Sequence, residues 1–170
     1  MMRAIRLLAV LGILGLGGAL AWRWYQDRPP PPEPLPELTL EALDGRAGFD
    51  PAMLDGPYLI NLWGSWCAGC QIEHPVLMAL QAEGIAIYGI AWRDSPEAAT
   101  DFLEAYGDPY AGVMLDVDGL SARALSITGA PETLVIGADG LILLRWPGPI
   151  TADVLRNRIY PALEREARWE

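Results

Sequence analysis

The feature that most constrains the fold is a pair of cysteines between an apolar run and an amphipathic run. Cys67 and Cys70 are the two cysteines of the chain. The apolar run before them, Tyr58–Trp63, is typical of a buried strand, and apolar residues recur at helical spacing after them. The sequence therefore predicts a strand that ends, and a helix that begins, at a Cys-x-x-Cys pair.

This position gives the two cysteines different chemistry. The start of a helix has unpaired N–H groups and the positive end of the helix dipole, and both stabilise a thiolate. The thiolate is the nucleophile in disulfide exchange. Cys67 precedes the helix and is expected to be the more exposed, attacking thiol. Cys70 lies in the first turn and is expected to be the resolving thiol, which attacks a mixed disulfide on Cys67.

Three other uses of the pair fit the sequence less well. A c-type haem attachment site has His directly after the second cysteine, where Gln71 stands. A structural zinc site needs four ligands, and the two cysteines with His74 supply only three. A permanent structural disulfide would close too small a loop to constrain the unfolded chain much. The sequence favours a redox-active dithiol that needs no metal, haem or nucleotide cofactor.

The charge of the chain argues against one class of partner. It has 22 acidic and 12 basic residues, which gives a net charge of -10. Proteins that bind nucleic acid neutralise phosphates with Lys and Arg. No nucleic-acid partner is expected for so acidic a chain.

Residues 1–28 predict export from the cytoplasm. A short basic start is followed by an uncharged apolar run over 7–21. One interpretation is a cleaved signal peptide, with a plausible cleavage site at 19–21. The other is a signal anchor, in which Trp22 and Trp24 lie at the membrane interface. We favour the anchor, and both interpretations place the rest of the chain outside the cytoplasm.

A proline-rich stretch separates this segment from a folded domain. Residues 29–37 contain too many prolines for a helix or a central strand, and they predict an extended polyproline II spacer. The domain is expected over 38–170. Within it, Pro75 is expected to kink the helix after the cysteines, and Pro161 is expected to kink or interrupt the last helix.

Strand and helix patterns alternate through this domain. Strands joined by crossing helices predict a parallel sheet covered on both faces, with a final hairpin as an antiparallel edge. The helix over 119–126 is expected to turn Leu120, Ala124 and Leu125 inward. The predicted strands are 38–43 (an edge strand), 58–63, 85–92, 112–116, 133–136 and 141–146, and the predicted helices are 68–81, 96–106, 119–126 and one from 152.

This order, with Cys-x-x-Cys after the first central strand, resembles thioredoxin. The run 66–70, Trp-Cys-Ala-Gly-Cys, resembles the Trp-Cys-x-x-Cys signature, and 129–133, Gly-Ala-Pro-Glu-Thr, resembles the cis-proline loop. The chain also resembles a narrower group, the CcmG/DsbE type of thiol:disulfide oxidoreductase, in segments 61–67, 70–74 and 107–110. The resemblance implies an α/β thioredoxin-like fold with a central mixed sheet and helices on both faces.

The same resemblance implies a reductant that works in cytochrome c maturation. Such a protein keeps the cysteines of apocytochrome c reduced, directly or through a partner thiol protein. A thiol carrier in the membrane reduces it again. It is anchored in the cytoplasmic (inner) membrane with its domain facing the periplasm. The alternatives are a general exported reductase or oxidant, and a thioredoxin-like binding module without turnover.

The resemblance to the cis-proline loop implies roles for residues that would face the cysteine pair. Pro131 is expected to face the cysteine pair, and the Ala130 backbone is expected to pair with an extended substrate chain. Glu132 either borders the substrate groove or is exposed. Trp66 is expected at the rim of the site. Ala68 and Gly69 replace the Pro-Thr usual between the cysteines of this family.

Proton handling points to another pair of residues. Glu73 follows Cys70 by three positions and is expected on the same helix face. It is either a proton carrier for the thiols or a solvated surface residue. Asn61 stands where thioredoxin has a buried Asp, and an amide cannot accept the proton, so Glu73 is the candidate substitute. His74 is expected on the helix surface.

Overall fold

The structure, a computed structural model, describes residues 15–19, 22–23, 32–38 and 40–166. Residues 15–19 and 22–23 are helical, and none of the helices described is long and apolar enough to cross a membrane. Most of the predicted signal or anchor segment lies outside the described residues. The compact unit that carries the cysteines begins at Pro32.

A seven-stranded mixed sheet forms the centre of this unit, in the order β1-β7-β6-β3-β4-β5-β2. β3, β4 and β5 are mutually parallel, whereas β6 runs antiparallel to β3 and β7 antiparallel to β6. The final hairpin therefore adds antiparallel strands, as predicted. The strands are β1 (Glu33–Pro34), β2 (Glu41–Ala42), β3 (Tyr58–Trp63), β4 (Ile87–Trp92), β5 (Gly112–Asp116), β6 (Glu132–Ile136) and β7 (Leu141–Pro147).

The helices fill the connections between strands. Ser95 caps α2 through its side chain, and Gly107 ends that helix with positive φ, as the sequence predicts. The helices are α1 (Ala68–Ala82), α2 (Pro96–Tyr106), α3 (Leu120–Ala124), α4 (Ala152–Val154) and α5 (Tyr160–Glu166), with a 3-10 turn at Pro51–Met53 and a π-helical segment at Leu155–Ile159.

Strand β3 lies in the middle of the core because both of its faces are covered. All six of its residues are buried. Tyr58, Ile60 and Leu62 pack into one apolar cluster, and Leu59 and Trp63 pack into clusters on the opposite face. Each such side chain contributes about 1.5–3 kcal/mol by its burial. The strand therefore holds the cysteines that follow it in a fixed place.

The register of β3 brings three polar or small positions together. Asn61 lies opposite Gly89 of β4 on one side and opposite Thr133 of β6 on the other. A glycine inside a buried strand indicates a close approach by another group. A Cβ at Gly89 would lie 2.8 Å from Nε1 of Trp63 and 3.0 Å from Cγ of Tyr110. The missing Cβ of Gly89 thus leaves the space that these two rings occupy beside Asn61.

The N-terminal edge of the domain differs from the prediction. The strand expected over 38–43 is reduced to Glu41–Ala42, which pairs with β5. Two residues of the expected spacer, Glu33–Pro34, form a strand beside β7 instead. An edge strand tolerates proline because the missing N–H can face away from the ladder.

The prediction for the inward face of α3 was wrong at two positions. Leu120 is 60% exposed and Ala124 is exposed, whereas Ser121 and Ala122 are buried. The buried carboxylate of Asp116 accepts hydrogen bonds from the N–H groups of Ser121 and Ala122. These bonds turn that side of the short helix toward β5.

The two helical prolines have different surroundings. Pro75 lies inside α1, and the helix continues through it from Ala68 to Ala82. Pro161 is the second residue of α5, two positions after the end of the π-helical segment, Leu155–Ile159. A π segment shifts the hydrogen-bond ladder by one residue and interrupts the regular α-helix, so the predicted interruption occurs just before Pro161.

Candidate active site

The cysteine pair lies at the start of α1, as the sequence predicts. Cys67 is the N-cap residue of the helix, and its Sγ accepts the backbone N–H of Cys70 at 3.1 Å. The two sulfurs form a disulfide. The sulfur of Cys67 therefore has the N–H donor and the helix dipole that stabilise a thiolate once the bond is reduced.

Both cysteines are almost entirely covered by the protein. Cys67 is 4% exposed and Cys70 is 2% exposed, so the expected difference in exposure is small. They pack in one cluster with Trp63 and Phe102, and Ala130 lies against that cluster. The disulfide is consequently almost completely shielded from solvent in this oxidised form.

The other half of the site lies at Pro131, about sixty residues further along the chain. The Ala130–Pro131 peptide bond is cis. A Cβ at Gly69 would lie 2.9 Å from Cδ of Pro131 and 3.2 Å from Cγ of Pro149. Gly69 therefore lets two proline rings approach the turn between the cysteines.

The backbone beside Pro131 is available to a substrate. Within the described part of the chain, neither the N–H nor the carbonyl of Ala130 makes a hydrogen bond. The carbonyl of Pro131 accepts the N–H of Gly148 instead, which ties the loop after β7 to this position. An extended chain could pair with Ala130 as an added strand.

Trp66 lies at the rim of the site, where the sequence placed it. Its side chain is 53% exposed, and its indole N–H donates to the carbonyl of Trp92 at 3.3 Å. Its ring is tilted against the ring of Trp92, with centroids 5.8 Å apart. The exposed face of Trp66 is thus an apolar surface next to Cys67.

Asp94 supports the loop before Cys67, and the sequence analysis missed it. Its carboxylate accepts the N–H of Ser65 at 2.5 Å, the hydroxyl of Ser65 at 2.8 Å and the N–H of Ser95 at 3.0 Å. The same carboxylate therefore fixes two loops that follow neighbouring strands. The only sequence signal was an acidic residue directly before the helix cap at Ser95.

Glu73 is a buried residue, with 0% of its surface exposed, so the surface alternative for it is wrong. Its Oε1 accepts the Asn61 amide N–H at 2.9 Å, and its Oε2 accepts the backbone N–H of Ile150 at 2.9 Å. The carboxylate thus joins α1 to β3 and to the loop after β7. The contact with Ile150 had no signal in the sequence.

The surroundings of Glu73 make it a proton acceptor near neutral pH. Burial raises the pKa of Glu73 from 4.5 to about 7, because an ionised carboxylate is costly away from water. The hydrogen bonds from Ile150 and Asn61 lower it in part. A carboxyl group with this pKa can take up or release a proton near neutral pH.

Asn61 links Glu73 to two further side chains. It is fully buried, and its Nδ2 group also donates to the Thr133 hydroxyl at 3.0 Å. Its Oδ1 accepts the hydroxyl of Tyr110 at 2.8 Å. Neither Thr133 nor Tyr110 was singled out in the sequence. Their signal is only their position, one beside the cis-proline and one in the segment 107–110.

Glu132 is mostly buried, so the exposed alternative for it does not hold. Its Oε1 lies 3.7 Å from a guanidinium nitrogen of Arg145. Burial raises the pKa of Glu132, and the charge of Arg145 lowers it. Arg145 also pairs with Glu33 of β1. The residue after Pro131 thus contributes a partly neutralised charge to the site.

The prediction of a surface position for His74 was wrong. Its side chain is buried, its Nε2 lies 3.0 Å from the carbonyl oxygen of Gly107, and its ring meets the ring of Phe102 edge-on. Burial lowers the pKa of His74. Within residues 32–38 and 40–166 no three His, Cys, Asp or Glu side chains lie close enough to hold a metal ion.

The buried carboxylate predicts a specific pH dependence of stability. Because folding raises the pKa of Glu73 from 4.5 to about 7, the folded protein binds this proton more tightly than the unfolded chain. The group's contribution to stability therefore falls as pH rises through that window, by on the order of 3 kcal/mol in total. In Glu73→Gln this loss should be absent, so the difference in unfolding free energy between the two oxidised proteins should change with pH.

Denaturant unfolding at several pH values between 4.5 and 8 measures this difference. Glu104→Gln, which changes an exposed acid on α2, serves as the control and should give a curve parallel to the wild type. A Glu73→Gln curve that also runs parallel to the wild type would contradict the raised pKa.

Comparison with known proteins agrees with this site. The thiol:disulfide interchange protein HelX of Rhodobacter capsulatus is 42% identical over 130 residues, which cover 75% of this chain and 74% of HelX. The thiol:disulfide interchange protein DsbE of Escherichia coli K12 is 32% identical over 181 residues, which cover 99% of this chain and 98% of DsbE. No protein-family model matches the chain.

Solved structures show the same fold. A thio-disulfide isomerase from Thermus thermophilus aligns with a TM-score of 0.63 and 27% identity, over 78% of this chain and 96% of that one. A thioredoxin-family thiol:disulfide interchange protein from Chlorobium tepidum aligns with a TM-score of 0.64 and 25% identity, over 82% and 99%. The fold is therefore thioredoxin-like, as predicted. The chain belongs to the DsbE/HelX family of thiol:disulfide interchange proteins, and it is a thiol:disulfide oxidoreductase with a Cys67–Cys70 pair.

Proposed function

We propose that this oxidoreductase is a membrane-anchored reductant outside the cytoplasm that keeps the cysteines of apocytochrome c reduced, directly or through a partner thiol protein. Its N-terminus anchors it in the cytoplasmic membrane, its domain faces the periplasm, and a membrane thiol carrier reduces it. The observation that carries the chemistry is the Cys67–Cys70 pair at a helix start opposite Pro131. The direction of electron flow rests on the resemblance to the CcmG/DsbE type.

The pair can carry out a balanced two-electron exchange. In the reduced protein, the Cys67 thiolate attacks a substrate disulfide, forms a mixed disulfide and releases one substrate thiolate, which takes up a proton. Cys70 then loses its proton and attacks the sulfur of Cys67. This step releases the second substrate thiolate, which also takes up a proton, and it leaves the chain oxidised and the substrate as a dithiol. An external dithiol must supply two electrons to reset the pair.

Glu73 supplies the proton acceptor for the second step in this proposal. It is buried, it lies one helical turn beyond Cys70, and its pKa of about 7 lets it be ionised or protonated near neutral pH. Asn61 occupies the position at which thioredoxin has an acid, and it cannot take the proton. A buried thiol needs such a base because water has little access to Cys70.

The proposed substrate is an extended polypeptide that carries a cysteine. Its backbone pairs with the free N–H and carbonyl of Ala130, and its apolar side chains lie against Trp66. Glu132 borders this groove, and Arg145 offsets part of its charge. A binding module without turnover would have the same groove, but it would not need a paired dithiol at a helix start.

The first prediction of the proposed function concerns the partner and the location. In cells that express full-length Cys70→Ser, the mixed disulfide on Cys67 cannot be resolved and should accumulate. It should pellet with membranes and contain apocytochrome c or a thiol protein that acts on it, and dithiothreitol should release the partner. Cys67→Ser/Cys70→Ser is the matched control and should trap nothing. The proposal would be contradicted if the mixed disulfide stayed in the soluble fraction, or if it contained unrelated exported proteins.

The second prediction concerns the direction of electron flow. The disulfide potential of a reductant must lie well below that of an oxidant, which is about -120 mV for DsbA. Equilibration of the purified protein with dithiothreitol or glutathione buffers measures this potential. A value near that of DsbA would exclude the reductant role and favour an exported oxidant.

The third prediction concerns Glu73 as a base. Reduced Glu73→Gln should resolve a mixed disulfide on Cys67 about 10²-fold more slowly near pH 7, because a positioned general base contributes roughly 10²–10⁴-fold. A mixed disulfide formed at acid pH, where Cys70 stays protonated, and then brought to pH 7 by stopped-flow mixing isolates this step. The initial attack by Cys67 should change much less. Equal rates of resolution in both proteins would show that Glu73 is not the base.

A further inference from the structure

A chain of hydrogen bonds leads from Glu73 to a tyrosine that the chemistry above does not use. The Tyr110 hydroxyl donates to Oδ1 of Asn61 at 2.8 Å. The other end of that amide donates to Glu73 at 2.9 Å and to Thr133 at 3.0 Å. Because the Asn61 side chain is fully buried, its oxygen and its NH₂ group depend on these partners.

The fold makes room for the Tyr110 ring at a cost. Gly89 lies inside a buried strand, where glycine weakens the structure. It lies directly opposite Asn61, and the missing Cβ is where the Tyr110 ring comes close, at 3.0 Å. The same ring stacks on Trp63 at 5.6 Å with planes 18° apart. The hydroxyl is therefore held at one place on the Asn61 side chain.

The backbone that carries Tyr110 is also fixed. Its N–H donates to Oδ1 of Asp108 at 3.0 Å, and Asp108 pairs with Arg46. The carbonyl of Gly107 contacts the buried ring of His74. The loop between α2 and β5 is thus tied to other segments at two places beside the tyrosine, through Asp108 and through Gly107.

We propose that Tyr110 is a positioning residue for the buried carboxylate, and that its hydroxyl holds the Asn61 amide with the NH₂ group toward Glu73. The inference rests on the proposed function only for its effect on exchange, since the orientation can be tested without a partner. Tyr110 acts through Asn61 and does not touch the reacting sulfurs.

The physical argument is a choice between two orientations of one amide. With the NH₂ group toward Glu73, the amide stabilises the ionised carboxylate. A flipped amide would present its oxygen to Glu73 and Thr133, which suits a protonated Glu73 that donates its own O–H. The Tyr110 hydroxyl favours the first orientation, in which it donates to the amide oxygen, because a phenol is a stronger hydrogen-bond donor than acceptor. Toward a flipped amide it would have to accept an N–H instead.

Tyr110 acts in this role as a neutral group. Burial, followed by the charges of Glu73 and Asp108, raises the pKa of Tyr110 well above 10.0, so the hydroxyl keeps its proton. Ile150 contributes a backbone N–H, Thr133 a hydroxyl and Asn61 an amide, none of which titrates near neutral pH. The cysteines on the same helix do not titrate in the oxidised protein.

The test is a titration of the Glu73 carboxyl in the full-length oxidised protein in detergent, by ¹³C NMR, with Glu73→Gln to assign the signal. Tyr110→Phe removes one hydroxyl and keeps the ring. It should raise the apparent pKa of Glu73 by roughly half to one pH unit, the equivalent of one neutral hydrogen bond. Tyr88→Phe is the matched control, since Tyr88 packs against Tyr58 and Phe49 elsewhere in the core, and it should leave the titration unchanged.

A double-mutant cycle separates positioning from a general loss of packing. In an Asn61→Leu background, Tyr110→Phe should no longer change the apparent pKa of Glu73, because the amide that transmits the effect is gone. A shift of equal size in both backgrounds would overturn the proposal, and so would no shift in Tyr110→Phe alone. If Tyr110→Phe does not fold, wild-type protein labelled with 3-fluorotyrosine replaces it in the test. The hydroxyl of 3-fluorotyrosine is more acidic and a stronger donor, so the label should lower the apparent pKa of Glu73. An unchanged pKa would overturn the proposal.

The exchange rate then distinguishes this inference from the proposed function. In reduced Tyr110→Phe, the pH profile of mixed-disulfide resolution should move to higher pH by the same amount as the Glu73 titration. If the titration moves and the rate profile does not, Tyr110 positions the carboxylate but Glu73 is not the base. If neither moves, the positioning role itself is wrong.

Discussion

The site depends on a carboxylate that the fold keeps away from water. An ionised Glu73 in this position is stabilised by two N–H donors, one from Asn61 and one from the backbone of Ile150. Burial alone would push its pKa much higher, and the donors alone would push it lower. The balance near 7 exists only while α1, β3 and the loop after β7 keep their relative positions. The packing of the domain is therefore part of its proton chemistry.

The middle strand of the sheet supplies that relative position. Asn61 is paired on both sides, with Gly89 and Thr133. Because side chains alternate along a strand, that of Asn61 lies on the same face as those of Leu59 and Trp63, where it meets Glu73 of α1. Because Thr133 follows Pro131 by two residues, the same register relates the amide to the substrate side of the site. A one-residue slip of either neighbour would turn Gly89 or Thr133 to the opposite face.

Much of this architecture could be predicted from the sequence, because the signals are local. The apolar run of β3 and the caps at Ser95 and Gly107 gave their elements correctly. Apart from the position of Pro131, which came from the resemblance to the cis-proline loop, contacts between distant segments could not be predicted. Glu73 and His74 follow the cysteines on an apparently ordinary amphipathic helix, and their burial depends on segments that are far along the chain. No periodicity reports that the N–H of Ile150 or the carbonyl of Gly107 will meet them.

The residues between the cysteines illustrate the same distinction. From the sequence, Gly69 in place of the family's usual residue only adds backbone freedom. In the structure, its missing Cβ is the space into which Pro131 and Pro149 project, and Pro149 directly precedes the residue whose N–H holds Glu73. A side chain at this position would push on both the cis-proline and the loop that holds the carboxylate. Gly69 is therefore coupled to the proton acceptor through packing, although it is only half-buried and lies between the two sulfurs in the sequence.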